Sequence, residues 1–178
     1  MEIQRLFPED WMRLRQLRRA ALSDAPDAFS STLEDACARN AEDWRRQLET
    51  LATFVAMIDG RDIGLARGAP DDADRANAYL LSMWIAPDAR GQGGGERLVQ
   101  AVADWAQTAG FSRLVLDVAD DNAPAIALYA RLGFQPTGDT GSLPPPRTHV
   151  REHRRALNLQ VARQRAFSTP RGTDDDCL

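Results

Sequence analysis

A chain of 178 residues, 43% of them apolar, suits one packed domain, with or without a tail. Its formal charge of −4 excludes the basic field of a general nucleic-acid binder, and no apolar run is long enough to span a bilayer. That balance suits a cationic small molecule or a basic peptide as partner.

Ile3–Phe7 reads as a first strand, and Pro8-Glu9-Asp10 opens a helix with acids where the dipole favours them. Trp11, Leu14, Leu17 and Ala21 recur at helical spacing, with arginines on the other face. Ser23–Asp27 breaks this helix, and a loop runs through Phe29–Thr32. A second helical stretch covers Leu33–Leu51, with an interruption near Arg39-Asn40. Thr53–Ile58 and Asp62–Ala66 form a hairpin around Asp59-Gly60. Gly68–Arg75 is polar and predicts a surface loop. Ala78–Ile85 is apolar enough for a central strand buried on both faces, and Pro87 ends it. Glu96–Thr108 is an amphipathic helix closed by Gly110. Leu114–Val118 is another buried strand. Asn122 caps a short helix that Gly133 ends. A strand starts at Phe134–Gln135, Leu143–Pro146 is a stiff loop, and His149–Leu157 is the last strand. His149 and His153 on it have no acid or cysteine at ligand spacing, so no metal is expected.

The order β-α-α-β-β-β-α-β-α-β-β predicts an α/β (α+β) domain over residues 1–157, with helices flanking one mixed, mostly antiparallel sheet. Residues 158–178 hold Ser168–Gly172 and Asp174–Asp176, and predict a poorly ordered tail. The two cysteines, Cys37 and Cys177, together with an N-terminus lacking an apolar leader, predict a reducing cytoplasm. All 22 basic residues are arginine.

The strongest local signal is Arg90-Gly91-Gln92-Gly93-Gly94-Gly95, between a buried strand and an amphipathic helix. Glycines there let backbone N–H groups approach a phosphate, and the helix N-terminus adds free donors and the positive dipole end. Arg90 could add a charged donor. A glycine-rich turn without a ligand is the other reading. A P-loop is set aside because Glu96-Arg97 follow Gly95 where Lys-Ser/Thr is needed. A Rossmann fingerprint is set aside because the segment lies mid-chain after a hairpin. The second signal is Asn122–Phe134. Its Tyr129 could offer a phenol to a neighbouring cleft as a proton donor, or could simply pack on its helix.

Together the two segments resemble the GCN5-related N-acetyltransferase (GNAT) superfamily: Arg90–Gly95 its pyrophosphate motif, and Asn122–Tyr129 with Arg131-Leu132-Gly133-Phe134 its second signature. The resemblance implies a V-shaped opening between the strand ending at Ile85 and the strand Leu114–Val118, holding acetyl-CoA as acyl donor. Backbone groups of Met83, Trp84 and Ile85 would bind the pantetheine arm. Amides of Gly91, Gln92, Gly93, Gly94 and Gly95, with Arg90, would hold the pyrophosphate. Asn122 would steady the arm or cap its helix, and Tyr129 would protonate the leaving sulfur. The acceptor would enter beneath the first two helices and the Leu143–Arg147 loop, where Phe29, Glu34 and Trp44 could line a pocket. Core packing is the other reading of Phe29 and Trp44.

Two departures stand out. The strand Ala78–Ile85 lacks the carboxylate many members carry there, leaving Glu34, Asp35 or Asp117 as base, or a water relay, or a weakly basic acceptor. Gly94 replaces a branched apolar residue, so Gly94→Val is expected to raise the melting temperature while keeping CoA affinity. The implied reaction moves an acetyl group to a primary amine of a small molecule, a metabolite or antibiotic. The alternatives are a protein N-terminus or lysine as acceptor, and a non-catalytic acyl-CoA-binding module. The resemblance leaves a homodimer open, though no segment specifies one.

Overall fold

The computed structural model describes residues 1–159. Its strands are β1 (Glu2–Leu6), β2 (Ala52–Ile58), β3 (Arg61–Pro70), β4 (Asn77–Ile85), β5 (Arg113–Ala119), β6 (Gln135–Ser142) and β7 (Arg151–Asn158). They form one seven-stranded sheet in the order β1-β2-β3-β4-β5-β7-β6. Only β4 and β5 run parallel; every other pair is antiparallel. The helices are α1 (Trp11–Asp24), α2 (Leu33–Ala38), α3 (Ala41–Thr50), α4 (Gly94–Thr108) and α5 (Ala123–Arg131). The mixed α/β architecture and the element order agree with the sequence reading. Among the described residues no helix is long and apolar enough to cross a membrane.

The second helical stretch is cut where the sequence hinted. Thr32 and Asn40 each start a helix with a reciprocal cap: Asp35 N–H donates to Thr32 Oγ1, and Asp43 N–H to Asn40 Oδ1, both at 3.0 Å. A cap residue must be extended, so a new cap at Asn40 breaks the run. The β2–β3 turn uses Asp59 (φ 51°) and Gly60 (φ 75°), the positive pair a two-residue hairpin needs.

One expected loop is strand. β3 continues through Gly68 to Pro70 rather than stopping at Ala66. The reason is packing: a Cβ on Gly68 would lie 2.5 Å from Trp105 Cζ3. The missing side chain lets α4 lie against β3, so a residue that looks like a turn former serves the sheet. The last strand likewise runs to Asn158, and Leu159 is buried, its N–H donating to Ser112 O at 3.0 Å. The rest of the expected tail, with Cys177, lies outside the described residues.

Each sheet face carries a core. On one, α4 and α5 bury Leu98, Val99, Val102 and Tyr129 against Ile63, Leu80, Leu114, Leu116 and Val118. On the other, α1–α3 bury Leu14, Leu17, Leu22, Trp44 and Leu48 against Leu6, Val55, Leu65 and Trp84. Strand alternation therefore sends Tyr79 of β4 and Asp117 of β5 to the face opposite α4.

Candidate acyl-CoA and acceptor site

β4 and β5 are paired only from Asn77–Tyr79 to Arg113–Val115. Beyond that the two strands part, β4 continuing to Ile85 and β5 to Ala119. β4 also bulges: Arg67 of β3 faces Leu81 and Leu65 faces Trp84, so Ser82 and Met83 have no partner on β3. Ser82 sits at φ 57°, a left-handed conformation that costs a serine energy. Past Tyr79 the β5-facing edge of β4 has no strand partner, so an extended chain can hydrogen-bond to it there.

The start of α4 lies at the end of this opening. Gly93 is its N-cap at φ 82°, with no side-chain cap. The first-turn N–H groups of Gly94, Gly95 and Glu96 lack helical acceptors and are suited to an anion. Gly91 (φ 77°) and Gly93 take conformations that side chains resist. A Cβ on Gly95 would lie 2.8 Å from Met83 Cε and 3.1 Å from Leu128 Cδ2, so the β4 bulge, α4 and α5 meet at one point.

Several expected residues are placed differently. The Arg90 guanidinium pairs with Asp24, and its Nε donates to Ile85 O at 3.1 Å. Asp24 also accepts from Trp84 Nε1 at 2.9 Å. Gln92 reaches back to Asp88 O at 3.4 Å. Gly94 is buried, and a Cβ on it would lie 3.1 Å from Ile85 Cδ1 and 3.4 Å from Met1 Sδ. An alanine there needs small shifts, and valine's methyls demand more. Gly94→Val is therefore destabilising, contrary to the expectation from helix propensity alone.

Asn122 is a helix cap, its Oδ1 accepting from Ala125 N–H at 3.2 Å. Tyr129 is buried against Phe134, with ring centroids 5.6 Å apart, and burial pushes its phenol up. Trp44 is fully buried between the helices and the sheet, so its pocket reading gives way to core packing. Phe29 is also buried, beneath the Arg18 guanidinium at 4.9 Å. Glu34 is exposed on α2. Asp35 is held below the usual carboxylate range by the Thr32 hydroxyl and amide, as a cap rather than a base.

Asp117 is where the chemistry gathers. It accepts from Tyr79 Oη at 2.8 Å and lies 3.4 Å from Arg154 Nε. It lines a cleft with Asp139, Thr140, Gly141, Ser142, Glu152 and Arg154. β7 pairs with β5 so that Arg154 faces Asp117 and Glu152 faces Ala119. Glu152 thus lies two residues further along the open end of β5 than Asp117. Burial and then the Asp117 charge push its carboxyl up. Sequence reasoning missed Glu152 and Arg154. Alternation in the last strand put them on one face, but nothing local said which strand they would join.

A second cleft lies between Asp24–Ala28 and Ala119, Asp121, Asn122 and Pro124. Arg147, in the β6–β7 loop, ties that loop to the same connection. Its guanidinium donates to the carbonyls of Pro26, of Ser30 at 3.0 Å and of Ser31 at 3.4 Å. The β6–β7 loop is thereby fastened to the α1–α2 connection.

Known proteins share the fold. The model of the acetyltransferase (GNAT) family matches residues 11–134. A mycothiol acetyltransferase of Arthrobacter sp. (strain FB24) is 34% identical over 121 residues, covering 65% of this chain and 36% of that protein. The chain thus spans little more than a third of the length of such relatives. Among solved structures, a ribosomal-protein-alanine N-acetyltransferase from Brucella melitensis superposes with TM-score 0.74 at 21% identity, covering 89% of this chain and 99% of that one. The yncA protein of Salmonella typhimurium, solved with its cofactor acetyl-CoA, gives 0.71 at 20% identity and 99% coverage of both chains. With the split sheet, the bulged β4 and the uncapped glycine start of α4 all inside the matched segment, the chain belongs to the GNAT acetyltransferase family.

Proposed function

We propose that this chain is an acetyl-CoA-dependent N-acetyltransferase whose acceptor is a primary amine of a small molecule. One observation carries the reading. Past Tyr79 the β5-facing edge of β4 is unpaired, on a sheet whose acceptor face, in this reading, bears Asp117 and Glu152 and is roofed by the Arg147-tied loop. Carboxylates draw an ammonium group, and the roof suits a compact acceptor more than a folded protein surface.

The residues divide the work. The backbone of Met83, Trp84 and Ile85 holds the pantetheine arm, and the amides of Gly91–Gly95 hold the pyrophosphate. Arg90 joins them by leaving Asp24. A bulge N–H polarises the thioester carbonyl. The acceptor amine must be neutral to attack, so a carboxylate takes its proton. Asp117 is already engaged by Tyr79 and Arg154. The Glu152 carboxylate has no hydrogen bond or ion pair among the described residues and a raised affinity for a proton, so it is the better base. Tyr129 stays protonated through neutral pH and can donate to the leaving sulfur.

A panel of amines and peptide N-termini with acetyl-CoA, read by free-thiol release, tests the acceptor. Turnover confined to peptides would replace the small molecule with a protein substrate. Tyr129→Phe tests the catalytic role: kcat is expected to fall about 100-fold with acetyl-CoA affinity nearly unchanged. Tight acetyl-CoA binding without turnover of any acceptor would leave a binding module.

A further inference from the structure

Among the buried charged residues, Asp71 pairs with Arg154, and Arg147 with backbone carbonyls. Arg18 and Arg67 differ. They are 2% and 3% exposed, and neither has an ion pair among the described residues. Arg18 lies over the Phe29 ring and leaves Nη1 buried without a partner. Arg67 donates one bond, from Nη2 to Gln47 Oε1 at 2.9 Å, and leaves Nε buried without a partner. Their charged neighbours are repulsive. Burial, then Arg18 and Arg39, push Arg67 down to about 9; burial, then Arg39, push Arg18 down to about 10. Both remain cations at neutral pH. Buried charge without a counter-charge is strongly unfavourable. An oxyanion within reach of these guanidiniums would supply the missing counter-charge.

The position says what would bring that anion. Arg67 pairs in register with Leu81, the residue before the Ser82–Met83 bulge. Adjacent strands lie about 4.8 Å apart. Phe29, beneath Arg18, belongs to the same connection that Arg147 ties over the acceptor side. We propose that Arg18 and Arg67 bind an oxyanion, carboxylate or phosphate, carried by the acceptor a few bonds from its amine. The acceptor class is then zwitterionic: ammonium toward Asp117 and Glu152, anion toward the arginines. The inference rests on the acetyltransferase reading for its acceptor, but the anion site can be tested without turnover.

Two measurements separate the parts. The first is the melting temperature with millimolar inorganic phosphate, matched in ionic strength with chloride. Wild type is expected to rise. Arg67→Met should start higher in phosphate-free buffer, because an uncompensated charge is gone, and should lose the phosphate response. Equal phosphate shifts in both proteins mean an adventitious ion only and overturn the site. The second is thiol release with paired amines bearing a carboxylate, a phosphate ester or the neutral amide. Wild type is expected to favour an anionic member at least ~10-fold in kcat/KM. Which anion wins identifies the group. Arg18→Gln and Arg67→Gln should abolish the preference through KM while sparing turnover of the amide. No preference in wild type overturns the proposal. No turnover of any amine defeats the acetyltransferase reading alone, and the phosphate arm still decides the anion site.

Discussion

Glu152 shows how one side chain acquires a role from its surroundings. Its folded-state proton affinity is raised by burial and by Asp117. A carboxyl raised in this way favours folding most below its unfolded pKa, about 4.3. That contribution is lost as pH rises through the higher folded value. Glu152→Gln is therefore expected to raise the melting temperature at pH 7–8, with the gain shrinking toward pH 4. Activity should respond oppositely, falling at neutral pH when the base is removed. Thermal melts and rates across pH check both; a gain independent of pH would count against a strained carboxylate. The residue was not legible in the sequence. Tyr129 was singled out, because Asn122–Phe134 is a contiguous signature. Phe29 and Trp44 stood between, since apolar spacing cannot distinguish a pocket wall from a core contact. Burial decided both toward packing.

At the scale of elements, the glycine-rich start of α4 is local chemistry, and the sequence named it fully. What it lacked was the distance to neighbours. A Cβ on Gly94 would meet the Ile85 and Met1 side chains, and one on Gly95 those of Met83 and Leu128. Gly94→Val is now expected to lower the melting temperature, since overpacking a tight contact typically costs about 1–3 kcal/mol. Gly94→Ala should be nearly neutral, trading helix propensity against a small shift. A thermal shift series of the two variants checks this; a valine variant more stable than wild type would contradict it. The same blindness explains β3. Gly68 looked like a loop residue because its packing against Trp105 is a non-local fact. The clefts are non-local too: Arg154 faces Asp117, and Glu152 faces Ala119, only because β7 joins β5, and Arg67 feels the charge of Arg18 only because α1 packs on β3.

For the molecule as a whole, the proposed reading divides the sheet between donor and acceptor, and Asp24 spans the two. It closes α1, lines the acceptor-side cleft, anchors Trp84 and holds Arg90, the first residue of the phosphate segment. A phosphate that recruits Arg90 must take it from Asp24, which frees a negative charge at the edge of the acceptor-side cleft. Occupancy of one half then changes affinity in the other, and the factor must be equal in both directions. Calorimetric titration of acetyl-CoA with and without a non-reacting acceptor analogue reads that factor. Asp24→Asn is expected to bring it close to one; a factor unchanged by the substitution would show that the two halves communicate by another route. A single carboxylate would thus serve as the thermodynamic link by which the donor half and the acceptor half sense each other.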